Sequence, residues 1–407
     1  MRALIIHNGG RSSLPSGERA VVDSEADALR RAGVDVACHI VSNDDVGSSM
    51  SLGTVAAGVN IFWSRRSFRE TKELLKRHKP DVVHFHSVFP LLTASAFYAC
   101  DSERVPCVQT LHNYRWFCVE GGLYNKQAYC EDCFRRGPAR GVVNRCSRNS
   151  AIVSGLLTIN NHIYAKSGRL FKIIDHFIAV SNFVKEKHVQ AGFPDRKVTV
   201  KYNGIDLARA WGRPVDSASR KAVTFVGRLT PAKGTSILKE IARRMPDVRI
   251  NIVGDGPDFE ELRQACQSSP HQNVSLFGKQ PPERVRELMS ESACVVVPSV
   301  FPEPLGLVAI EAMACGAPVV ASRIGGLAEI VEQSGGGVTV GLEGKAEGFI
   351  SAIRAVVSSP ERVAELGARG RGFVERNLSM DNSVKQLLSI YERVIEERGQ
   401  ANGQTAN

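Results

Sequence analysis

Two cations on a glycine-flanked loop are the first residues whose types and spacing suggest a chemistry. Arg228 and Lys233 stand five positions apart between Gly227 and Gly234, directly after the apolar run 223–226. A strand that leads through glycines into a helix exposes backbone N–H groups at the helix N-terminus, where the helix dipole favours anions. Arginine can hold two oxygens of one anion, and lysine adds a mobile point charge. The loop is therefore suited to bind a pyrophosphate.

A second loop combines prolines with an acidic residue. The segment 298–304 follows an apolar run and carries Glu303. Its prolines favour an extended loop and a helix that begins near 305–307, whose freed amides would face an anion or sugar hydroxyls. Inside the next apolar stretch stands Glu311, and a buried carboxylate needs partners such as ribose hydroxyls. The alternative makes Glu303 a helix-cap charge and Glu311 a member of a salt bridge.

Four cysteines form a third group with a chemical spacing. Cys130 and Cys133 make a C-x-x-C pair, and Cys118 and Cys146 flank it at 11 and 12 intervening residues. Four thiolates of this kind suit a closed, tetrahedral structural Zn²⁺ site, which leaves no open position for catalysis. The alternative is four thiols without a ligand.

The elements that must position these motifs follow from alternating apolar runs and helical periods, which predict βα units with parallel sheets. No GxGxxG follows the first strand, which argues against a dinucleotide-binding Rossmann enzyme, and Gly254-Asp255-Gly256 indicates only a turn. The predicted strands are 3–6, 34–41, 81–86, 105–111, 176–180, 198–200, 223–226, 248–253, 274–277, 294–297 and 318–321. The predicted helices include 18–32, 63–78, 234–244, 257–268, 282–290 and 307–315.

A length of 407 residues favours two domains over one core. We place the first at 1–203 and the second at 204–380, with a polar linker at 203–220 and a final amphipathic helix at about 381–398 that can pack back on the first. Ligands of such sheets bind outside the carboxyl ends of the strands, so the motifs are expected in a cleft between the domains.

The net charge of +10 favours anionic partners, namely phosphates, acidic lipids or nucleic acid. The basic stretch 65–79 predicts either a helix on an anionic membrane surface or a solvated helix packed by its apolar stripe. No run reaches the ~18 apolar residues of a membrane span, and the start at Met1 lacks a signal-peptide core. We expect a cytoplasmic protein that has peripheral contact with the inner face of the membrane.

Together these motifs resemble the retaining glycosyltransferase family 4. The likeness is close over 220–330, which holds the 227–234 loop, the VGDGP turn, two glutamates separated by seven residues, and the run Gly325-Gly326-Leu327. It is looser over the N-terminal half. The resemblance implies an α/β protein of the GT-B fold, with two Rossmann-like domains that face each other across a cleft.

The resemblance also implies roles for individual residues. Arg228 and Lys233 would bind the donor diphosphate, Glu311 the nucleotide ribose, and Glu303 with the backbone of 304–307 the transferred sugar. The implied catalytic residues are His112, Glu303, Arg228 and Lys233. The implied donor-binding residues are Gly17, Gly227, Arg228, Lys233, Glu303, Pro304, Leu305, Gly306, Leu307 and Glu311.

Two N-terminal stretches extend the likeness. The run 110–113 resembles the family's histidine after a strand, so His112 would hydrogen-bond the donor sugar, although a lone histidine is often only a core residue. The run 15–18 stands where the family commonly has a Gly-Gly pair, but this chain has Gly17 alone there and another pair at 9–10. The run 111–115 before the cysteines resembles a subset of sugar transferases with a cysteine-bearing insertion, which would form part of the acceptor site.

The expected activity is a retaining, hexosyltransferase-type transfer from a nucleotide-diphosphate sugar to a glycan or lipid-linked acceptor, in cell-surface polysaccharide biosynthesis such as that of capsule or lipopolysaccharide. The resemblance implies attack on the same face as the leaving phosphate. No cofactor is expected for catalysis, because the Arg–Lys pair supplies the charge that a metal would bring. The alternatives are a non-transferring enzyme, such as a nucleotide-sugar 2-epimerase, and a nucleic-acid-binding protein, whose aromatic platforms are missing.

Overall fold

A computed structural model describes residues 1–10, 17–42, 61–126, 128–207, 219–267 and 273–404. Two predictions, on residues 15–16 and on most of the 203–220 linker, lie outside this part of the chain. The chain divides into two compact units. The first unit comprises Met1–Gly122, Glu131–Gly204 and Met380–Asn407, and the second comprises Leu123–Cys130 and Ile205–Ser379.

The strands are β1 Arg2–Gly9, β2 Asp35–Ser42, β3 Val82–Phe85, β4 Cys107–Leu111, β5 Tyr124–Asn125, β6 Ala128–Tyr129, β7 His176–Ala179, β8 Val198–Val200, β9 Ala222–Val226, β10 Arg249–Val253, β11 Val274–Gly278, β12 Ser292–Val297, β13 Val319–Ser322 and β14 Gly337–Val340. The helices are α1 Gly17–Arg31, α2 Arg65–His78, α3 Ser95–Ser102, α4 Asp132–Arg135, α5 Ala139–Val143, α6 Ala151–Asn161, α7 Leu170–Ile173, α8 Asn182–Gln190, α9 Thr235–Arg244, α10 Phe259–Gln267, α11 Pro282–Ser290, α12 Leu307–Ala314, α13 Gly325–Ser334, α14 Lys345–Val356, α15 Pro360–Asn377 and α16 Met380–Gln404.

The first unit is built on a parallel sheet in the order β2-β1-β3-β4-β7-β8. Strands β1, β3, β4 and β7 are almost wholly buried, as expected for a parallel sheet that helices cover on both faces. The last helix belongs to this unit, because Leu387 and Tyr391 of α16 join a core cluster with Val22 and Leu29 of α1.

The second unit repeats this plan in the order β11-β10-β9-β12-β13-β14, again with parallel pairs only. Strands β9 and β12 are neighbours in the centre of the sheet. The carboxyl ends of neighbouring parallel strands meet at one edge, so the two motif-bearing loops that follow them start side by side.

The predicted fold class is confirmed, since two parallel six-stranded sheets with Rossmann-like βα units make up the units. Each predicted strand corresponds to an observed one. The sequence did not reveal β14, the short antiparallel hairpin β5–β6, the helices α3 to α8 or the helices α13 to α15. Helix α16 also runs to Gln404, beyond the predicted end at 398. None of the described helices has both the length and the apolar content of a membrane span.

Candidate functional site

The cation-bearing loop leaves β9 and turns back on itself before α9. Residues Pro231–Lys233 form a 3₁₀ turn, and Gly234 in the left-handed conformation (φ 78°) precedes the helix. A Cβ at Gly234 would collide with the carbonyl oxygen of Pro298, at the start of the second loop. The amide of Val300 donates to the carbonyl of Ala232 at 2.9 Å. The two loops therefore form one continuous backbone surface.

The turn at 254–256 has a larger role than a simple turn between elements. The amide of Leu229 donates to the carbonyl of Asp255 at 2.9 Å, and the amide of Asp258 donates back to the carbonyl of Leu229 at 3.2 Å. A Cβ at Gly254 would collide with the carbonyl oxygen of Gly227. The interpretation of these glycines as only a turn was thus too narrow, because they support the loop that carries Arg228.

Lys233 and Glu303 form an ion pair between the two loops. The Nζ of Lys233 lies 2.7 Å from Oε1 of Glu303, and the hydroxyl of Ser299 donates to the same oxygen. The ammonium also lies 5.2 Å from the ring centroid of Phe301, within cation–π range. The carboxylate is buried while the lysine side chain stays 25% exposed. Arg228 is exposed on the same loop.

Helix α12 begins where the second loop ends, and its N-terminus has no side-chain cap. Gly306 is the N-cap residue in the left-handed conformation (φ 84°), with no capping hydrogen bond from a side chain. Glu303 therefore does not cap this helix, contrary to the alternative interpretation. The amide of Gly326 instead donates to the carbonyl of Glu303 at 2.8 Å and fixes the loop backbone. The first amides of α12 remain suited to an anion or to hydroxyl oxygens.

Glu311 lies in the second turn of α12. Burial raises the pKa of Glu311 to about 7, against the opposing attraction of Arg286. The carboxyl therefore titrates near neutral pH in the ligand-free protein, and hydroxyl donors from a ligand would favour its ionised form.

In the first unit, His112 follows β4 and joins a chain of buried groups from separate elements. Its Nε2 lies 2.8 Å from Nδ1 of His86, which follows β3, and the two rings stack at 5.1 Å. The Nε2 of His86 lies 3.4 Å from Oε1 of Glu25 in α1. The other oxygen of Glu25 lies 2.8 Å from Nζ of Lys201, which follows β8. We call Glu25, His86 and His112 the carboxylate–histidine relay.

Charge assigns the protons in this relay. Burial raises the pKa of Glu25, but Lys201 and the histidine contacts outweigh it, so the net pKa lies well below the usual value. At 3.4 Å, Oε1 of Glu25 and Nε2 of His86 attract each other by charge and form no hydrogen bond. The ionised carboxylate still favours a proton on Nε2 of His86, and Nδ1 of His86 would then accept from Nε2–H of His112. Burial lowers the pKa of His112 to about 4, so this ring is neutral at pH 7. Its Nδ1 is then a hydrogen-bond acceptor.

A small pocket opens at this histidine. Its wall includes His112, Asn113, Arg115 and Trp116 from the segment after β4. Beside it, the hydroxyl of Ser87 donates to Oε2 of Glu18 at 2.6 Å.

Burial raises the pKa of Glu18, but the attraction of His112 and the hydrogen bond from Ser87 outweigh it and lower the net value. Gly17 is the first, exposed residue of α1, next to this carboxylate. The other glycines considered for this role begin with Gly9, which ends β1.

Within the described residues, the side chains whose possible metal-ligand atoms all lie within 4.8 Å of one another are those of Glu25, His84 and His86. The ammonium of Lys201 already binds Glu25, and the hydroxyl of Tyr391 lies 2.7 Å from Nδ1 of His84. A cation bound there would lie against this ammonium, so the group suits a hydrogen-bond network better than a metal.

The four cysteines are not part of that group. Cys118 accepts from the amide of Gly121 at 3.4 Å, and the amide of Cys146 donates to the carbonyl of Gly141 at 3.0 Å. A Cβ at Gly141 would approach Sγ of Cys133 to 3.3 Å. Cys130 lies intermediate in exposure at the end of the hairpin β5–β6. None of the four forms a disulfide, and a structural Zn²⁺ at them stays a prediction.

Sequence reasoning missed Glu25, His86 and Lys201. Their only local signal is the pair His84 and His86, spaced two apart in an apolar strand, which places both side chains on one face of the sheet. Glu25 and Lys201 lie 176 positions apart and meet only through the fold.

Comparison with known proteins places both units in one group of enzymes. The model described as "Glycosyltransferase Family 4" matches residues 16–209, and the model "Glycosyl transferases group 1" matches residues 214–373. The chain belongs to the family 4, group 1 glycosyltransferases.

Curated relatives agree with this assignment. The chain is 34% identical over 247 residues to alpha-maltose-1-phosphate synthase of Mycolicibacterium smegmatis, which covers 54% of this chain and 63% of that protein. It is 32% identical over 219 residues to D-inositol 3-phosphate glycosyltransferase of Segniliparus rotundus, which covers 49% and 48%. The chain thus spans about half to just under two thirds of the length of these relatives.

Solved structures show the same GT-B fold at low identity. The sucrose-phosphate synthase of Thermosynechococcus elongatus matches 98% of this chain and 100% of its own, with a TM-score of 0.71 and 19% identity. Anabaena Alr3699/HepE in complex with UDP-glucose matches 95% of this chain and 99% of its own, with a TM-score of 0.65 and 20% identity.

Proposed function

We propose that this glycosyltransferase family member moves a sugar from a nucleotide-diphosphate donor to a glycan or lipid-linked acceptor with retention of configuration. The observation that carries the proposal is the Lys233–Glu303 pair beside the uncapped N-terminus of α12. A partly exposed lysine, a helix end and an exposed Arg228 are the groups that a departing diphosphate needs.

The proposed chemistry is electrostatic. As the bond between the sugar and the diphosphate breaks, negative charge grows on the leaving phosphate. Lys233, Arg228 and the amides at the start of α12 would stabilise that charge without rearrangement, because the loops that hold them share backbone hydrogen bonds. Glu303 would accept hydrogen bonds from hydroxyls of the transferred sugar, and Glu311 would accept hydrogen bonds from hydroxyls of the ribose.

In the first unit we propose that His112 binds a sugar hydroxyl. The contact with His86 favours the tautomer of His112 that has its proton on Nε2, so Nδ1 is unprotonated. The ring also forms part of a pocket wall. A neutral imidazole with this tautomer accepts a hydrogen bond from a hydroxyl group. Glu25 and His86 would act as positioning residues that keep His112 in this state.

The setting that we propose is cell-surface polysaccharide biosynthesis at the inner face of the cytoplasmic membrane. It is supported by the net charge of +10, which favours an anionic surface. Catalysis would need no cofactor, since two cations serve the leaving group. The acceptor class is tested by supplying a lipid-linked saccharide and its free reducing sugar in parallel, and equal use of both would exclude a lipid requirement.

The decisive experiment compares transfer by the wild-type protein and Lys233→Ala. We expect product formation to fall by about 10² to 10³, which is the loss typical for removal of one charge-stabilising donor. The protein should keep its fold, because the lysine is partly exposed. Donor incubated without acceptor should give no isomerised nucleotide sugar, and isomerisation would indicate an epimerase instead.

Lys239→Ala is the matched control. Lys239 lies on α9, six residues further along the chain, and its ammonium pairs with the exposed Glu261. The same lysine-to-alanine change there should leave the rate of transfer unchanged. Wild-type turnover in Lys233→Ala would disprove the proposed site.

A further inference from the structure

One segment of the first unit carries cations and no acids, with its cations before and after the uncharged middle part 149–165. Residues 133–174 contain eight lysines and arginines and no aspartate or glutamate. The cations are Arg135, Arg136, Arg140, Arg145, Arg148, Lys166, Arg169 and Lys172. At its start, Arg135 pairs with Glu131 and Arg136 with Asp132, the acids that precede the segment. Such a run presents a positive potential to solvent.

Helix α6, in the middle of this segment, turns both of its isoleucines outward, while Val153, Leu156 and Leu157 are partly buried. Ile152 and Ile159 are 77% and 51% exposed, and they lie seven positions apart, which places them on one face two turns from each other. Ser154 and Asn161 have the same spacing and are buried. A helix of a protein surrounded only by water shows the opposite arrangement.

On the inward face, Ser154 and Asn161 form hydrogen bonds to neighbouring segments, while the buried side chain of Asn160 has no hydrogen-bond partner among the described residues. The amide of Ser147 donates to the hydroxyl of Ser154 at 3.0 Å, and the side-chain amide of Asn161 donates to the carbonyl of Arg115 at 2.8 Å. Helix α5, which packs against α6, adds Val143 at 70% exposure. Exposed Arg140 and Arg145 lie on either side of this valine in the chain. We call Arg140, Val143, Arg145, Ile152 and Ile159 the apolar–basic face.

A tryptophan lies at the end of the same helical segment. The hydroxyl of Tyr164, in the π-helical turn after α6, donates to the carbonyl of Phe62. The exposed Trp63 follows, with its ring 5.3 Å from that of Tyr98, which in turn lies 6.3 Å from that of Tyr164. Tryptophan beside arginines is the composition that favours the boundary between lipid and water.

We infer that the apolar–basic face binds the surface of an anionic lipid bilayer. Aliphatic side chains on one helix face can enter the acyl boundary, while arginines around them bind lipid phosphates. An acidic protein partner would match the charge, but it would not require the outward isoleucines of α6. This inference deepens the proposed function by naming the surface that brings a lipid-linked acceptor to the enzyme.

The other basic helix fits a bilayer less well. Helix α2 was predicted to lie on a membrane or to pack by its apolar stripe, and its residues Ser67, Thr71 and Leu75 are buried in the fold. Two of its cations pair with carboxylates, Arg66 with Glu70 and Lys72 with Glu103. The face with unshielded aliphatic residues is that of α6.

The test is co-sedimentation of the full-length protein with vesicles, without donor or acceptor. We expect binding to phosphatidylcholine vesicles that contain phosphatidylglycerol and none to phosphatidylcholine alone. Ile152→Ser with Ile159→Ser should weaken binding at least about tenfold, because two aliphatic side chains no longer leave water. Arg140→Gln with Arg145→Gln should weaken it by about fivefold for each cation removed.

The charge-matched control is Arg243→Gln with Arg244→Gln on α9 of the second unit, which should bind like the wild type. All substituted positions are exposed, so equal melting temperatures are expected. Wild-type binding by the serine variant, or no binding to anionic vesicles, would overturn the inference. So would a serine variant that changes only self-association in sedimentation velocity. Because no sugar transfer is measured, these failures would leave the proposed activity untouched.

Discussion

Glu25 in the first unit and Glu303 in the second are both buried and both pair with a lysine, but water reaches the two lysines to different extents. In the first unit Lys201 is 1% exposed and is held at 2.8 Å from Glu25 and 2.9 Å from Ser383. In the second unit Lys233 lies 2.7 Å from Glu303 but stays 25% exposed. The contacts are alike, while only one of the two ammonium groups is accessible to a ligand.

This difference separates a scaffold pair from a site pair. The Glu25–Lys201 pair links helix α1, the end of β8 and the last helix, and it also sets the protons of the relay. The Lys233–Glu303 pair links two loops at the carboxyl edge of a sheet, where the proposed diphosphate would compete for the ammonium. The two pairs have the same residue types, so the sequence alone does not distinguish them. The exposure of the lysine side chain does.

The largest expected effect is on stability. Lys201→Met leaves an ionised, fully buried Glu25 without its cation, which should cost about 3–5 kcal/mol of unfolding free energy. Lys233→Met leaves Glu303 with the Ser299 hydroxyl, and the loss should stay near 1–2 kcal/mol. Urea denaturation of both variants measures this. Equal losses would show that exposure of the lysine does not distinguish the pairs.

The next effect concerns the accessible pair only. Glu303→Gln should lower transfer by about 10² to 10³, because the carboxylate proposed to bind the sugar is lost. The same change releases Lys233 from its partner, so UDP alone should bind at least as tightly as to the wild type. Calorimetry with UDP and a transfer assay separate these outcomes. A parallel loss of UDP binding would mean that Glu303 only holds the loop together.

The sequence predicted the second unit better than the first for a physical reason. Its site lies on two short loops after neighbouring strands, so each loop shows its own prolines, glycines and charges in a continuous run. The relay instead draws Glu25, His86 and His112 from three parts of the chain, and Lys201, which binds Glu25, comes from a fourth. None of the four stands next to a charged residue in sequence that indicates the contact. The outward isoleucines of α6 were also missed, because an apolar helix is normally assigned to the core when only its sequence is known.

A smaller effect is expected for the relay. His86→Leu removes the acceptor of Nε2–H of His112, and the rate of transfer should fall by about tenfold to a hundredfold as the tautomer becomes unrestrained. Binding of UDP as a probe should not change, since the residues proposed to bind the diphosphate lie in the second unit. His188→Gln is the control, because this buried histidine of the same unit has its described hydrogen bond to the carbonyl of Val184 and its ring contacts with Tyr114, Phe117 and Phe193 rather than with the relay. A rate loss as large in His188→Gln would reduce His86 to a packing role.

The smallest effect is a pH dependence in the second unit. Burial raises the pKa of Glu311 to about 7, so the free protein holds a partly protonated carboxyl at neutral pH. If ribose hydroxyls bind its ionised form, donor affinity should rise with pH up to about 7 and then level off, with up to about a tenfold loss for each pH unit below.

UDP-glucose is the suitable probe for that measurement, since a free terminal phosphate itself titrates near pH ~6. Glu311→Gln should give an affinity for UDP-glucose that is lower above pH 7 and nearly independent of pH, because the amide does not titrate.

The contribution of Glu311 to folding stability changes with pH in the opposite direction. A folded-state pKa above the unfolded value stabilises the neutral acid, so unfolding free energy should fall as the pH rises towards 7 and stay constant beyond it. If the affinity of the wild-type protein for UDP-glucose is also independent of pH, Glu311 does not bind the ribose. The proposed donor contacts would then be Lys233 and Glu303.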